Sequence, residues 1–138
     1  MEKRDWLLLA IGDNIQPIQI QKTMFKFAKE SGASESDIYK FEPYNWGPCS
    51  FEIYDDLSTL RLEGLLETLR SGRGWSMYGL TEEGRARVEQ VRMESNQDHL
   101  KALDAKRDWV VSRNFEQLLR DVYDEYPKYA TQSMFVNE

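Results

Sequence analysis

Between Phe41 and Gly84 the chain reads FEPYNWGPCSFEIYDDLSTLRLEGLLETLRSGRGWSMYGLTEEG, and the order of signals along this stretch restricts the fold more than any other feature. Phe41, Pro43, Tyr44, Trp46 and Pro48 form an aromatic loop in which Gly47 permits a backbone turn. A short helix follows Pro48, with the Ser50 hydroxyl expected to accept an orphan backbone N–H at its start. Ile53, Leu57 and Leu60, with Tyr54 beside them, return at helical spacing and form its buried stripe. Gly64 ends this helix. Leu65-Leu66-Glu67-Thr68-Leu69 and Trp75-Ser76-Met77-Tyr78-Gly79-Leu80 read as paired strands, and Ser71-Gly72-Arg73-Gly74 supplies the turn between them. Thr81 then caps a further helix whose first turn carries Glu82 and Glu83, the charge that the positive end of a helix dipole favours.

Loop, helix, hairpin and helix in this order predict a winged helix-turn-helix-like core, mainly α with a small β-hairpin wing, plus additional C-terminal helices. The flanking segments fit. Lys3 to Ile11 reads as a buried helix ending at Gly12. Pro17-Ile18-Gln19 reads as a short extended piece. Ile20, Met24, Phe27 and Ala28 then repeat at helical spacing up to Ser31-Gly32, and Phe25 widens the apolar face so that this helix is expected between two neighbours. Arg85 to Arg107 predicts an exposed, charge-rich helix broken near Ser95-Asn96. Ser112 to Tyr126 keeps a helical period through Phe115, Leu118, Leu119, Val122, Tyr123 and Tyr126, after which Pro127 interrupts and a tail packs through Tyr129, Met134 and Phe135. A single domain is expected over residues 1–138, with a core at about 1–94, a helical extension at about 95–130 and a tail at 131–138. With 41% apolar residues, a chain of this length buries a core without metal or crosslinks.

The one cysteine, Cys49, has no internal disulfide partner, so a reducing cytoplasm is the expected compartment and a small packing residue its expected role. The apolar run Trp6 to Ile11 is too short for a signal peptide or a membrane span. Catalytic chemistry finds little support. His99 is the single histidine and reads as a solvated surface residue, with no nucleophile tied to it by spacing. One Cys and one His do not make a zinc site. Glu52, Asp55 and Asp56 would offer a hard cation ligands from one side only, which binds weakly. Gly72-Arg73-Gly74 lacks the spacing of a phosphate loop. The expectation is therefore no enzyme, no cofactor and no metal.

Glu52, Asp55, Asp56, Thr59 and Glu63 fall at i, i+3, i+4, i+7 and i+11 and share one face of the third helix. In a winged helix this face would meet the major groove, where Arg, Lys, Asn and Gln make the base contacts. Carboxylates there repel phosphate, and the net charge of -6 agrees. The expected partner is another protein with a basic surface, bound through Tyr44, Trp46, Glu52, Asp55, Asp56, Thr59 and Glu63. Whether Tyr44 and Trp46 plug the core or face outward stays open. The alternative is a DNA-binding regulator touching backbone through Arg70 and Arg73, with Arg85, Arg87 and Arg92 behind them. Glu82, Glu83, Glu89 and Glu94 interleave with those helical arginines and would pair with them. A homodimer seam from Ser112 to Tyr126 and the first helix is conceivable, although both also suit the monomer core.

Phe41-Glu42-Pro43-Tyr44-Asn45-Trp46-Gly47-Pro48, followed by Tyr54-Asp55-Asp56-Leu57 and Leu60-Arg61-Leu62-Glu63-Gly64-Leu65-Leu66, resembles the Panacea antitoxin domain family and the related YwgA-like bacterial proteins. Tyr78-Gly79-Leu80-Thr81-Glu82-Glu83-Gly84 and Val122-Tyr123-Asp124-Glu125-Tyr126-Pro127-Lys128-Tyr129-Ala130 extend the resemblance in patches. It implies a bacterial or phage-associated protein that acts by binding another protein, as an antitoxin restrains a toxin. It transfers no catalytic residue. The family pattern has Tyr or Phe after Gly-Pro, where this chain has Cys49.

Overall fold

The computed structural model describes residues 2–12, 14–31, 38–70 and 76–134. It is mainly helical, with two small two-stranded antiparallel sheets among the described residues. Helix α1 (Lys3–Ile11) leads to α2 (Pro17–Glu30), a hairpin of β1 (Glu42–Tyr44) and β2 (Gly47–Cys49), and α3 (Phe51–Leu62). A second hairpin, β3 (Leu66–Arg70) and β4 (Ser76–Leu80), precedes α4 (Glu82–Glu94), α5 (Gln97–Val111), α6 (Phe115–Glu125) and a 3-10 turn over Pro127–Ala130.

Most elements lie where local sequence signals put them. Gly12 leaves α1 with φ of 52° and Gly64 follows α3 with φ of 82°, conformations that cost a residue with a Cβ. The Thr81 hydroxyl accepts the Gly84 N–H at 3.0 Å and donates to the Gly64 carbonyl at 2.6 Å, so one side chain starts α4 and ties off α3. Asn96 divides α4 from α5 and accepts the N–H groups of Asp98 and His99 at 2.8 and 3.2 Å. The turn expected at Ser71 to Gly74, together with Trp75 and Phe135, lies outside the described residues.

Five local expectations are corrected. Pro17 is the first residue of α2 rather than part of an extended piece, because proline has no N–H to lose there and its φ suits a helix. The aromatic segment is a paired hairpin, with Glu42 opposite Cys49 and Tyr44 opposite Gly47, rather than an irregular loop. Ser50 precedes α3 but its hydroxyl caps nothing, since Gln21 already holds its backbone. The last helix begins at Phe115. Asn114 and Gln117 form a reciprocal cap there, while Ser112 closes a longer α5. The arginines of α4 pair across elements rather than along their own helix: Arg87 takes Asp5 of α1 and Arg92 takes Asp104 of α5.

The main core gathers Leu7, Leu8 and Ile11 of α1, Ile20, Met24 and Phe27 of α2, Ile53, Leu57 and Leu60 of α3, and Leu100 and Leu103 of α5. Leu100 and Leu103, from the segment expected as a helical extension, pack into this same core. A second cluster joins Phe25 to Val110, Leu118, Val122 and Tyr129, so α2 is covered on both sides as Phe25 predicted. The apolar residues of α1, and Leu118, Leu119, Val122 and Tyr123 of α6, are buried within this one chain, whereas Phe115 stays exposed.

Candidate functional site

Burying Ile53, Leu57 and Leu60 fixes which residues α3 presents to each neighbour. The predicted acidic face turns toward α1. There, Lys3 Nζ donates to Glu52 Oε1 at 2.6 Å, and Arg4 Nη1 donates to Glu63 Oε1 at 3.0 Å. The hydroxyl of Tyr39, a fully buried residue, donates to Asp56 Oδ2 at 2.6 Å. Burial and then the Asp56 carboxylate push the Tyr39 phenol far above its ordinary pKa, so it stays a donor. Thr59 bonds the Asp55 carbonyl at 3.1 Å, and Asp55 alone of the acidic set keeps an exposed carboxylate with no ion pair among the described residues. Two of the four carboxylates, Glu52 and Glu63, are thus paired with cations of the chain's own N-terminal helix.

Besides Glu52, Asp55 and Arg61, α3 turns an apolar row outward. Phe51, Tyr54 and Leu62, with Ser58 between them, recur at i, i+3, i+7 and i+11, and the three large side chains are 53%, 42% and 84% exposed. Sequence reading named the carboxylates and set Tyr54 beside the buried stripe; the structure corrects this, because Tyr54 falls one position past Ile53 and so joins the outward row with Phe51 and Leu62. Tyr44 of β1 extends it, standing edge-on to Phe51 with ring centroids 5.0 Å apart. Trp46, in the hairpin turn, stands edge-on to Phe115 of α6 at 5.5 Å. Tyr44 and Trp46 are thus surface residues, each braced by one ring and open on its other side. Beside Trp46 lies a largely apolar groove of about 430 Å³ lined by Gln16, Pro17, Ile18, Ser76 and Phe115.

The hairpin that carries these rings is fixed from beneath. Gln21 Oε1 accepts the Ser50 N–H at 2.8 Å and Gln21 Nε2 donates to the Ser50 carbonyl at 2.9 Å. Lys22 Nζ donates to the Pro48 carbonyl at 3.0 Å. Gly47 adopts φ of 92° above the Tyr123 ring, where a Cβ would come within 3.1 Å of that ring. From the C-terminal side, Met134 N–H donates to the Asn45 carbonyl at 2.8 Å.

The basic edge of the DNA alternative is reduced. Arg70 is exposed at the end of β3, and Arg73 lies outside the described residues. Arg87 and Arg92 are committed to carboxylates, and Arg61 leans toward Thr68. His99 is half-buried rather than solvated, its ring edge-on to Trp6 at 5.9 Å. Cys49 is buried, and burial pushes its thiol above the ordinary pKa, the reverse of what a nucleophile needs. Among the described residues, no three of His, Cys, Asp and Glu stand together as a metal-binding group, and no helix is long and apolar enough to cross a membrane. Comparison with protein-family models, with characterised proteins and with solved structures finds no match.

Proposed function

We propose that the chain is a non-enzymatic protein-interaction module whose contact surface is the aromatic row of Tyr44, Trp46, Phe51, Tyr54 and Leu62. On this reading α2 and α3 followed by the β3–β4 hairpin form a winged helix whose recognition helix has been turned over to protein binding. The observation that carries it is the exposure of that row on rigid elements. Rigid aromatic side chains bury large area at small entropic cost, and interface centres are enriched in them. Asp55 adds one free carboxylate at its flank, which favours a partner that brings a Lys or Arg to that point. The resemblance to Panacea and YwgA-like proteins supports an antitoxin-like or phage-associated role in a reducing cytoplasm, where Cys49 remains a thiol.

The test is co-expression with the product of the neighbouring gene, with capture compared between the wild-type chain and a Tyr44→Ser, Trp46→Ser, Phe51→Ser variant. Wild-type capture lost in the variant supports the surface. Capture that is equal in both removes these residues from the interface. A shift assay with host DNA at low salt, where electrostatic attachment is strongest, separates the DNA alternative. The expected result is no shift, and binding weakened by Arg70→Glu would replace the protein reading.

A further inference from the structure

Lys22 is the least ordinary residue in the fold. It lies in the middle of α2, is only 2% exposed, and passes beneath the turn that presents Tyr44 and Trp46, with its Cε 3.6 Å from the Cβ position of Gly47. Among the described residues its Nζ has one hydrogen-bond acceptor, the Pro48 carbonyl at 3.0 Å, and no carboxylate pairs with it. The other lysine buried in α2, Lys26, shows the usual solution by contrast: Glu30 and Glu125 hold its ammonium at 3.3 and 2.7 Å.

The groups around Lys22 offer it no carboxylate partner among the described residues. From β2 comes the Cys49 thiol, itself bonded by the Tyr54 hydroxyl of α3. From α6 comes Tyr123, whose ring also lies against Gly47 and whose hydroxyl is engaged with Ser133. Tyr78 of β4 lies beyond, near Tyr54. The charges that α5 and α6 bring to α2, Lys106 and Glu125, are taken up at its other end by Glu30 and Lys26. Asp5 of α1 is engaged by Arg87.

We propose that Lys22 is a proton-operated support for the β1–β2 hairpin: its neutral amine seats the turn carrying Tyr44 and Trp46, and its protonation loosens that seat. A neutral amine needs little more than the Pro48 carbonyl. An ammonium brings three donors and a full charge to a site with one acceptor, so it is stabilised by moving toward water, and any shift of its tip presses on the hairpin turn at Gly47 that it touches. Burial lowers the Lys22 pKa from 10.5 to about 7, with the nearby Cys49 opposing only in part, which puts the change near neutrality. That this would regulate partner binding rests on the interaction surface proposed above. The support itself is a property of the free chain.

The experiment is an NMR titration of the free protein from about pH 5 to about pH 11 with labelled lysine side chains and backbone amides. Lys22 is expected to titrate with a midpoint of about 7, and the amides of Trp46, Gly47 and Cys49 should move with the same midpoint. Lys22→Met and Lys22→Gln should abolish that midpoint in the hairpin, whereas His99→Gln should leave it unchanged. Lys22 titrating with the other lysines overturns the proposal, as do hairpin amides that ignore its midpoint. Because no partner is present, this outcome is independent of the capture experiment: a titrating hairpin with no captured partner would sink the interaction reading and leave the support standing.

Discussion

Gln21 grips Ser50 in both directions, accepting its N–H at 2.8 Å and donating to its carbonyl at 2.9 Å, with both residues buried. A carboxamide from α2 thereby holds the backbone of the residue at the start of α3, whose own hydroxyl caps nothing. Gln21→Ala leaves the buried Ser50 N–H without its partner and its carbonyl with only the Ile53 N–H at 3.3 Å, so a loss of about 1–3 kcal/mol is expected in urea unfolding. A loss below about 1 kcal/mol would mean that water replaces the carboxamide.

Gly84 is required for space rather than for its backbone angles. A Cβ there would lie 2.0 Å from the Leu65 carbonyl oxygen, where α4 presses on the chain entering β3. Gly84→Ala should therefore destabilise by about 2–3 kcal/mol despite raising helix propensity. Thermal melting that shows a gain in stability would contradict this packing.

The depressed pKa of Lys22 fixes the sign of a pH dependence. Above its unfolded value of 10.5 the amine is neutral in both states and its contribution is complete. As pH falls from 10.5 toward about 7, the unfolded chain takes up a proton that the folded chain refuses, and stability drops by up to about 1.4 kcal/mol per pH unit. Below about 7 both states are protonated and this loss stops growing. Lys22→Met should remove the slope and be more stable than wild type at neutral pH, as read by urea midpoints across the window.

Asp5 sits 7% exposed in α1 and is held by two nitrogens of Arg87 at 3.0 to 3.2 Å. Removing the arginine strands a buried carboxylate. Arg87→Met is expected to cost about 2 kcal/mol, less than a fully buried pair because the arginine side chain is 40% exposed. Asp5→Leu combined with Arg87→Met should recover part of that loss in a double-mutant cycle.

The aromatic row should behave as surface and the stripe beneath it as core. Leu62→Lys is expected to change stability by less than about 0.5 kcal/mol, whereas Leu57→Ala should cost about 2–5 kcal/mol. Chemical denaturation of the two variants decides it, and a comparable cost at both sites would refute the orientation of α3.

Local signals set the secondary structure because they act over a few residues. The glycines at 12 and 64, the Thr81 cap, the break near Ser95-Asn96 and the apolar periods of α2, α3 and α6 all operate within a turn or two, so the chain shows them directly. The sequence also placed Glu52, Asp55, Asp56, Thr59 and Glu63 together on one helical flank. What that flank faces depends on residues far along the chain. Lys3 neutralises Glu52 and Arg4 neutralises Glu63 because α1 docks against α3, and Tyr39, from the segment ahead of β1, binds Asp56. The same holds for Lys22: a lysine in an amphipathic helix reads as solvent-facing until the hairpin and α6 close over it. Tertiary packing decided which charges stay free and which rings stay exposed, because charge pairing and burial depend on distance in space, and distance along the chain does not report it.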